Sequence, residues 1–218
     1  MDLDRGFHDE IIEAKENRKQ NSLDIKQNVN TLPLFKGGAN FKTHILIKKS
    51  DLKFIYKPTV FTTLFCFIFI FIGLGLLLWS LSPFLFEDSE RLNNIQWIPI
   101  GIGVLFSIGG FCLYYYLSMP RVFDKHLGFY YKSYTKRKRD INKCISIDSI
   151  IALQIIGEHV TSSDNPYKSF ELNLVLEDAT RKNVVDHGNL KSIIKDAQTL
   201  SEFLNIPIWH ATSHLDKD

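Results

Sequence analysis

Apolar residues follow three rhythms along this chain, and each predicts a different kind of element. Two stretches are predominantly apolar and carry no charge, Thr59 to Trp79 and Ile98 to Leu117. A helix needs about 20 apolar residues to cross a hydrocarbon layer roughly 30 Å thick, and both stretches qualify. A pair of buried core helices is the alternative, but a domain this small cannot cover two helices that are apolar all round. The second rhythm has a period of two and predicts strands. Phe41 to Lys49 and Leu52 to Lys57 flank the turn Ser50-Asp51, with Leu52, Phe54 and Tyr56 on one face. Arg121 to Asp124 and Phe129 to Lys132 flank the turn Lys125-His126-Leu127-Gly128. Ile145 to Gly157 predicts a strand that bends once, Phe170, Leu172, Leu174 and Leu176 alternate along another, and Arg181 to Val185 returns after Glu177-Asp178-Ala179.

The third rhythm is helical. Leu190, Ile193, Ile194, Ala197, Leu200, Phe203 and Leu204 recur at i, i+3, i+4 and i+7. Asn189 stands where an N-cap belongs, and Asn205 where a left-handed residue ends a helix, with Pro207 beyond it. The expected layout is an N-terminal arm at 1–39, a split α+β domain at 40–57 and 120–209, spans at 58–82 and 97–119, an external loop at 83–96 and a flexible tail at 210–218. In the arm, Phe7, Ile11, Ile12 and Ala14 predict one short amphipathic helix between Asp9 and Arg18. The polar sequence after it, broken by Pro33 and Gly37-Gly38, predicts mobility.

Whole-chain composition hides this pattern. The 218 residues carry 26 Lys+Arg against 24 Asp+Glu, a net charge of +2, and the mean hydropathy is −0.04. Those averages describe an ordinary soluble protein, and the near-balance of charge excludes a strongly basic nucleic-acid binder. Yet no charge falls between Lys57 and Glu87 or between Arg91 and Arg121, two gaps of 29 residues each. The segment before the first gap holds 11 basic residues, the segment after the second holds 14, and the connection between them holds only Arg91. Basic residues stay on the cytoplasmic side of a membrane, so both termini are expected there and Glu87 to Arg91 outside. Trp79, Trp97 and Tyr114 to Tyr116 sit near the span ends, where amphipathic rings favour the headgroup layer. The 58 residues ahead of the first stretch argue against its being a signal peptide.

Small side chains predict where the two helices meet, because they let backbones approach closely in lipid. Cys66, Gly73 and Ser80 recur every seven residues in the first stretch, and Gly103, Ser107 and Gly110 fall at i, i+4 and i+7 in the second. The short connection favours packing within the hairpin, and a homodimer is the other use of the same face. Neither span contains an ionisable side chain, which argues against a pump or carrier.

The seven strands with a closing helix, two before the hairpin and five after it, resemble the pleckstrin-homology-like superfold. The residues behind the likeness are Pro120-Arg-Val-Phe-Asp124, Gly128-Phe-Tyr130, and the closing Ala197 to Leu204 with Ile206-Pro-Ile-Trp209. Bacterial membrane proteins of this kind join such a domain to transmembrane helices. The resemblance implies a strongly bent sheet capped by the C-terminal helix, with the hairpin inserted between the second and third strands. It implies a binding or scaffolding module rather than a catalyst.

Candidate chemistry changes the picture little. The run Lys136-Arg137-Lys138-Arg139 follows the second span closely, where clustered cations attract anionic lipid. With no wider basic face, it is a weak footprint for nucleic acid. His210 and His214 have the i, i+4 spacing of a helical metal pair but no Glu follows the first, and they lie in the expected tail. Asp124, Asp148, Glu171, Glu177 and Asp186 offer carboxylates at no diagnostic spacing, and the Gly-x-Gly pairs at 73–75 and 101–103 lie inside the spans. No nucleophile elbow and no Cys/His couple appears. Cys66 and Cys112 lie in the spans and Cys144 in the part expected to be cytoplasmic, with no metal-ligand spacing. No enzyme, cofactor or metal is therefore expected. The leading expectation is an inner-membrane protein that presents a cytoplasmic domain to a protein partner or membrane complex. A protective immunity or exclusion protein is the alternative, and a channel subunit or membrane enzyme the third.

Overall fold

The computed structural model describes residues 20, 24–85, 97–133, 143–161 and 165–212. The expected helix at 9–18, the external connection at 86–96, the basic run at 136–139 and the end of the tail at 213–218 lie outside the described residues.

Among the described residues nine strands form two sheets. The first is antiparallel in chain order: β1 (His44–Ser50), β2 (Lys53–Pro58), β3 (Arg121–Asp124), β4 (Phe129–Lys132) and β5 (Ile145–Ser146). The second contains β6 (Ile150–Val160), β7 (Tyr167–Leu176), β8 (Arg181–His187) and β9 (Ile208–Thr212), in the order β8-β7-β6-β9. Between β2 and β3 the chain makes two long apolar helices, α1 (Val60–Leu85) and α2 (Trp97–Ser118). A third helix, α3 (Leu190–Leu204), follows β8. The architecture is α+β with an apolar hairpin inserted in the first sheet.

The bend expected within Ile145 to Gly157 is a change of sheet. Ile147 N–H donates to Gly128 O at 2.9 Å, holding the chain on the first sheet, and Ile150 N–H closes a turn onto Ile147 O at 3.1 Å. Past that turn β6 pairs with β7 instead. The inner faces of both sheets then enclose one core, with Phe54, Tyr56, Phe123 and Tyr130 from the first and Leu153, Ile155, Leu172 and Leu174 from the second. Helix α3 closes it with Ile193, Ala197, Leu200 and Leu204, the buried stripe of its helical period. Its ends are chemically marked: the Asn189 side chain accepts from Ser192 N–H at 2.9 Å, and Asn205 turns left-handed at φ 58°.

Two segments differ from the sequence expectation. The chain does not run into a tail at residue 210, because β9 continues to Thr212, parallel to β6, with Leu153 opposite Ile208 and Gly157 opposite Thr212. Its backbone pairing covers an otherwise open sheet edge, which short-range hydrophobic alternation does not report. Nor are residues 29–40 free of the domain. Residues 24–28 form one helical turn, Val29 is buried against Ile151, Ala152, Val175 and Trp209, and the chain then runs as a strap over the outer face of the second sheet. Its hold on that face is polar. Glu171, only 2% exposed, accepts from Leu34 N–H at 2.9 Å, Phe35 N–H at 2.8 Å and Asn173 Nδ2 at 3.0 Å. Gln154, Arg181, Tyr167 and Ser169 donate to the strap carbonyls of Asn30, Leu32, Gly38 and Ala39. The strap ends against Gly188, where a Cβ would overlap the Asn40 carbonyl, so only glycine admits this crossing.

Helices α1 and α2 are long and apolar enough to cross a membrane, and only 22% and 17% of their spanning windows are buried by protein. That low cover contrasts with the enclosure of a core helix. The six small residues Cys66, Gly73, Ser80, Gly103, Ser107 and Gly110 all lie buried along the seam between the helices. There the backbones touch: a Cβ on Gly73 would stand 2.5 Å from Ser107 N, and one on Gly110 2.9 Å from Ile70 N.

Candidate functional site at the hairpin–domain junction

Three residues of the chain entering β1 receive both helices. On one side Thr59 caps α1 by accepting from Thr62 N–H at 3.2 Å. Its own N–H donates to Thr43 O at 2.9 Å, and its hydroxyl to Lys42 O at 3.1 Å. Thr62, 1% exposed, adds a hydroxyl bond to Thr43 O at 2.9 Å. The Phe41 and Phe61 rings meet edge to face at 5.1 Å. On the other side the end of α2 rests on His44, whose Nε2 lies 3.1 Å from Leu117 O and also meets the Arg121 guanidinium.

The proton positions follow from the donors around Thr43. Its hydroxyl donates to Asp186 O at 2.7 Å, so the 2.8 Å contact with His44 Nδ1 takes its proton from the imidazole. His44 Nε2 is then a lone pair facing Arg121. Burial, and next the Arg121 guanidinium, push the His44 pKa down to about 3, outweighing the pull of the Leu117 carbonyl. The ring is neutral at physiological pH. Thr43 N–H donates to His187 Nδ1 at 3.3 Å, which leaves the His187 proton on Nε2. That nitrogen faces Asp196 Oδ2 on α3 at 3.8 Å, beyond hydrogen-bonding distance.

Cross-strand register gathers the remaining members. Leu46 is opposite Tyr56, Tyr56 opposite Arg121, and Arg121 opposite Lys132. Directly opposed residues project to the same face, so Tyr56, Arg121 and Lys132 share the inner face of the first sheet. Tyr130, two residues before Lys132, joins them and packs its ring 4.7 Å from Phe123. Tyr56 is fully buried and Tyr130 is 3% exposed. Burial above all, and the Asp196 carboxylate after it, hold the Tyr56 hydroxyl protonated, and burial does the same for Tyr130. Five buried polar atoms of this group have no hydrogen-bond partner: Tyr56 OH, Tyr130 OH, Arg121 Nε, His187 Nε2 and Asp196 Oδ2.

The carboxylates singled out by sequence do not converge on one another as reactive pairs. Asp124 forms an ion pair with Lys53 at 2.8 Å. Glu171 and Asp186 are opposed across β7 and β8, but Glu171 is occupied by the strap and Asp186 Oδ1 accepts from Asn183 Nδ2 at 2.8 Å. His210 lies on β9 opposite Ile155, in strand rather than helical geometry, and His214 is outside the described residues. Among the described residues no three His, Cys, Asp or Glu side chains gather as metal ligands. The junction cluster itself escaped sequence reading, because its members come from β1, β2, β3, β4, β8 and α3 and share no spacing. The one available signal was Arg121, the first charge after the second apolar stretch.

Compared with known proteins, the chain matches no family model, no curated protein and no solved structure.

Proposed function

We propose that this chain is a non-catalytic integral protein of a bacterial inner membrane, whose cytoplasmic domain holds a protein partner or a membrane complex at a set distance from the bilayer. The observation that carries this reading is the clamp at residues 42–44. The start of α1 bonds to Lys42 and Thr43 and the end of α2 rests against the neighbouring His44, so the hairpin is seated on the sheets and a bound partner is fixed relative to the lipid. In this reading α1 and α2 cross the bilayer, both termini are cytoplasmic, the small-residue seam joins the two helices of one chain, and Lys136 to Arg139 lie against anionic lipid.

The domain is read as pleckstrin-homology-like. Support comes from the antiparallel sheet in chain order, the passage of the chain into a second sheet, and the capping C-terminal helix. The parallel β9 is a departure from the expected seven-strand pattern.

Topology tests the reading first. A reporter active only outside the cytoplasm should be active at Asp88 and silent after His214; the opposite pattern overturns the orientation. For the binding role, a partner recovered with the detergent-solubilised protein should be lost when α3 is deleted and the chain still inserts. Undiminished recovery removes that role from the domain.

A further inference from the structure

Among the described residues, no carboxylate is ion-paired with the cations on the inner face of the first sheet. Arg121 and Lys132 are cross-strand neighbours, and neither forms an ion pair with a described carboxylate. Arg121 spends one N–H on the neutral His44 ring and leaves Nε buried without a partner. Asp186 pulls on both cations electrostatically, but its carboxylate sits on the opposite face of the second sheet, bonded to Asn183. Lys132 is exposed by area, yet loss of hydration, followed by the Arg121 charge, brings its ammonium down to about 8. A guanidinium cannot shed its charge in the same way. Beside it the Tyr130 and Tyr56 hydroxyls are buried donors with no acceptor bonded to them. Tyr56 has the Asp196 carboxylate nearby, whereas Tyr130 faces Arg121.

We infer that Arg121, Lys132 and Tyr130 form an anion site that takes a phosphate group at the end of the sheet next to the hairpin. Several donors and two cations suit a group with three or four oxygens better than a two-oxygen carboxylate. Arg121 follows the last residue of α2 by three positions. If the hairpin spans a bilayer, as proposed above, the site lies at headgroup level and a phospholipid phosphate reaches it. A free phosphate or soluble phosphate ester has the same chemistry.

Full-length protein in nanodiscs separates these sources. Three preparations are compared by native mass spectrometry and by thermal unfolding of the sheets: phosphatidylcholine alone, phosphatidylcholine with phosphatidic acid, and phosphatidylcholine with added inorganic phosphate. Retention of one phosphatidic acid per chain assigns the site to lipid, and stabilisation by inorganic phosphate in neutral discs assigns it to a soluble anion. In either case Arg121→Gln should weaken binding about tenfold. Tyr130→Phe, which keeps the ring against Phe123, should weaken it about threefold without disturbing the fold. Neutralising Lys136 to Arg139 should leave this one bound group in place while reducing general adsorption to acidic vesicles. Unchanged binding in both Arg121→Gln and Tyr130→Phe, or a wild-type protein indifferent to both phosphate sources, overturns the site. A chain that fails to insert into discs overturns the membrane reading alone, since the inorganic phosphate measurement can then be made in solution.

Discussion

Two groups of buried polar side chains lie on different faces of this protein, and they are finished to different degrees. On the outer face of the second sheet Glu171 accepts two strap N–H groups and the Asn173 amide. Around it Gln154, Ser169, Tyr167 and Arg181 each donate to a strap carbonyl. At the junction cluster Arg121 has only a neutral imidazole, and five buried atoms, its own Nε among them, have no partner. A matched polar cluster is adhesive: it fixes one segment on another and leaves nothing over for a ligand. An unmatched one holds its polar groups away from water without return, a cost that persists in folded proteins mainly where something from outside completes the set. Polarity and burial are alike in the two places; only the completeness of pairing separates structure from candidate site.

The largest effect should come from breaking the finished cluster. Glu171→Ala leaves three donors facing a cavity, and loss of a buried charged acceptor with several bonds should cost about 4 kcal/mol. Denaturant unfolding of the two-sheet domain in detergent measures this. Hydrogen exchange should locate the damage in residues 30–38, with the amides of Leu34 and Phe35 losing protection first. Protection that survives the substitution would show that the strap is held by Val29 and Trp209 packing instead of by the carboxylate.

The difference between the clusters also explains what could be read from sequence. The hairpin was visible because its two apolar runs are long and free of charge, and the small residues of its seam stand out against Phe, Ile and Leu. Helix α3 was visible because its stripe and both Asn caps are local. The strap was not, since residues 29–40 look like a polar arm and their partners are Gln154, Glu158, Glu171 and Arg181, more than a hundred residues away. Strand β9 was hidden by its shortness and by polar positions at His210 and Thr212, which pairing with β6 tolerates. The Arg121 cluster was hidden for the same reason as the strap: register across four strands assembles it, and register is set by turns and core packing.

A smaller effect distinguishes the inner cluster by pH. His44 titrates near 6.5 when unfolded and near 3 when folded. The unfolded chain therefore binds the extra proton between those values, and stability is full above pH 6.5 and falls as pH drops towards 3. Between pH 7 and pH 5 the loss from this one group should be about 2 kcal/mol. His44→Gln should remove that slope while keeping a polar group beside Leu117 and Arg121. An unchanged slope in the variant would assign the acid sensitivity to another group and break the contrast at this point.

The smallest expected change is the most informative about completeness. Arg121→Met removes a charge that no described carboxylate neutralises and replaces it with a flexible apolar chain of similar length. A matched buried charge would cost about 3–5 kcal/mol to delete, whereas an unmatched one returns its desolvation penalty when it goes. The hydrogen bond to His44 is lost as well, which offsets part of that gain at about 1 kcal/mol. Stability without phosphate or acidic lipid should therefore move by no more than about 1 kcal/mol in either direction. The same variant should lose whatever stabilisation phosphate confers on the wild type. A loss near that of Glu171→Ala would mean that Arg121 is already satisfied by the fold, and the two clusters would then be of one kind.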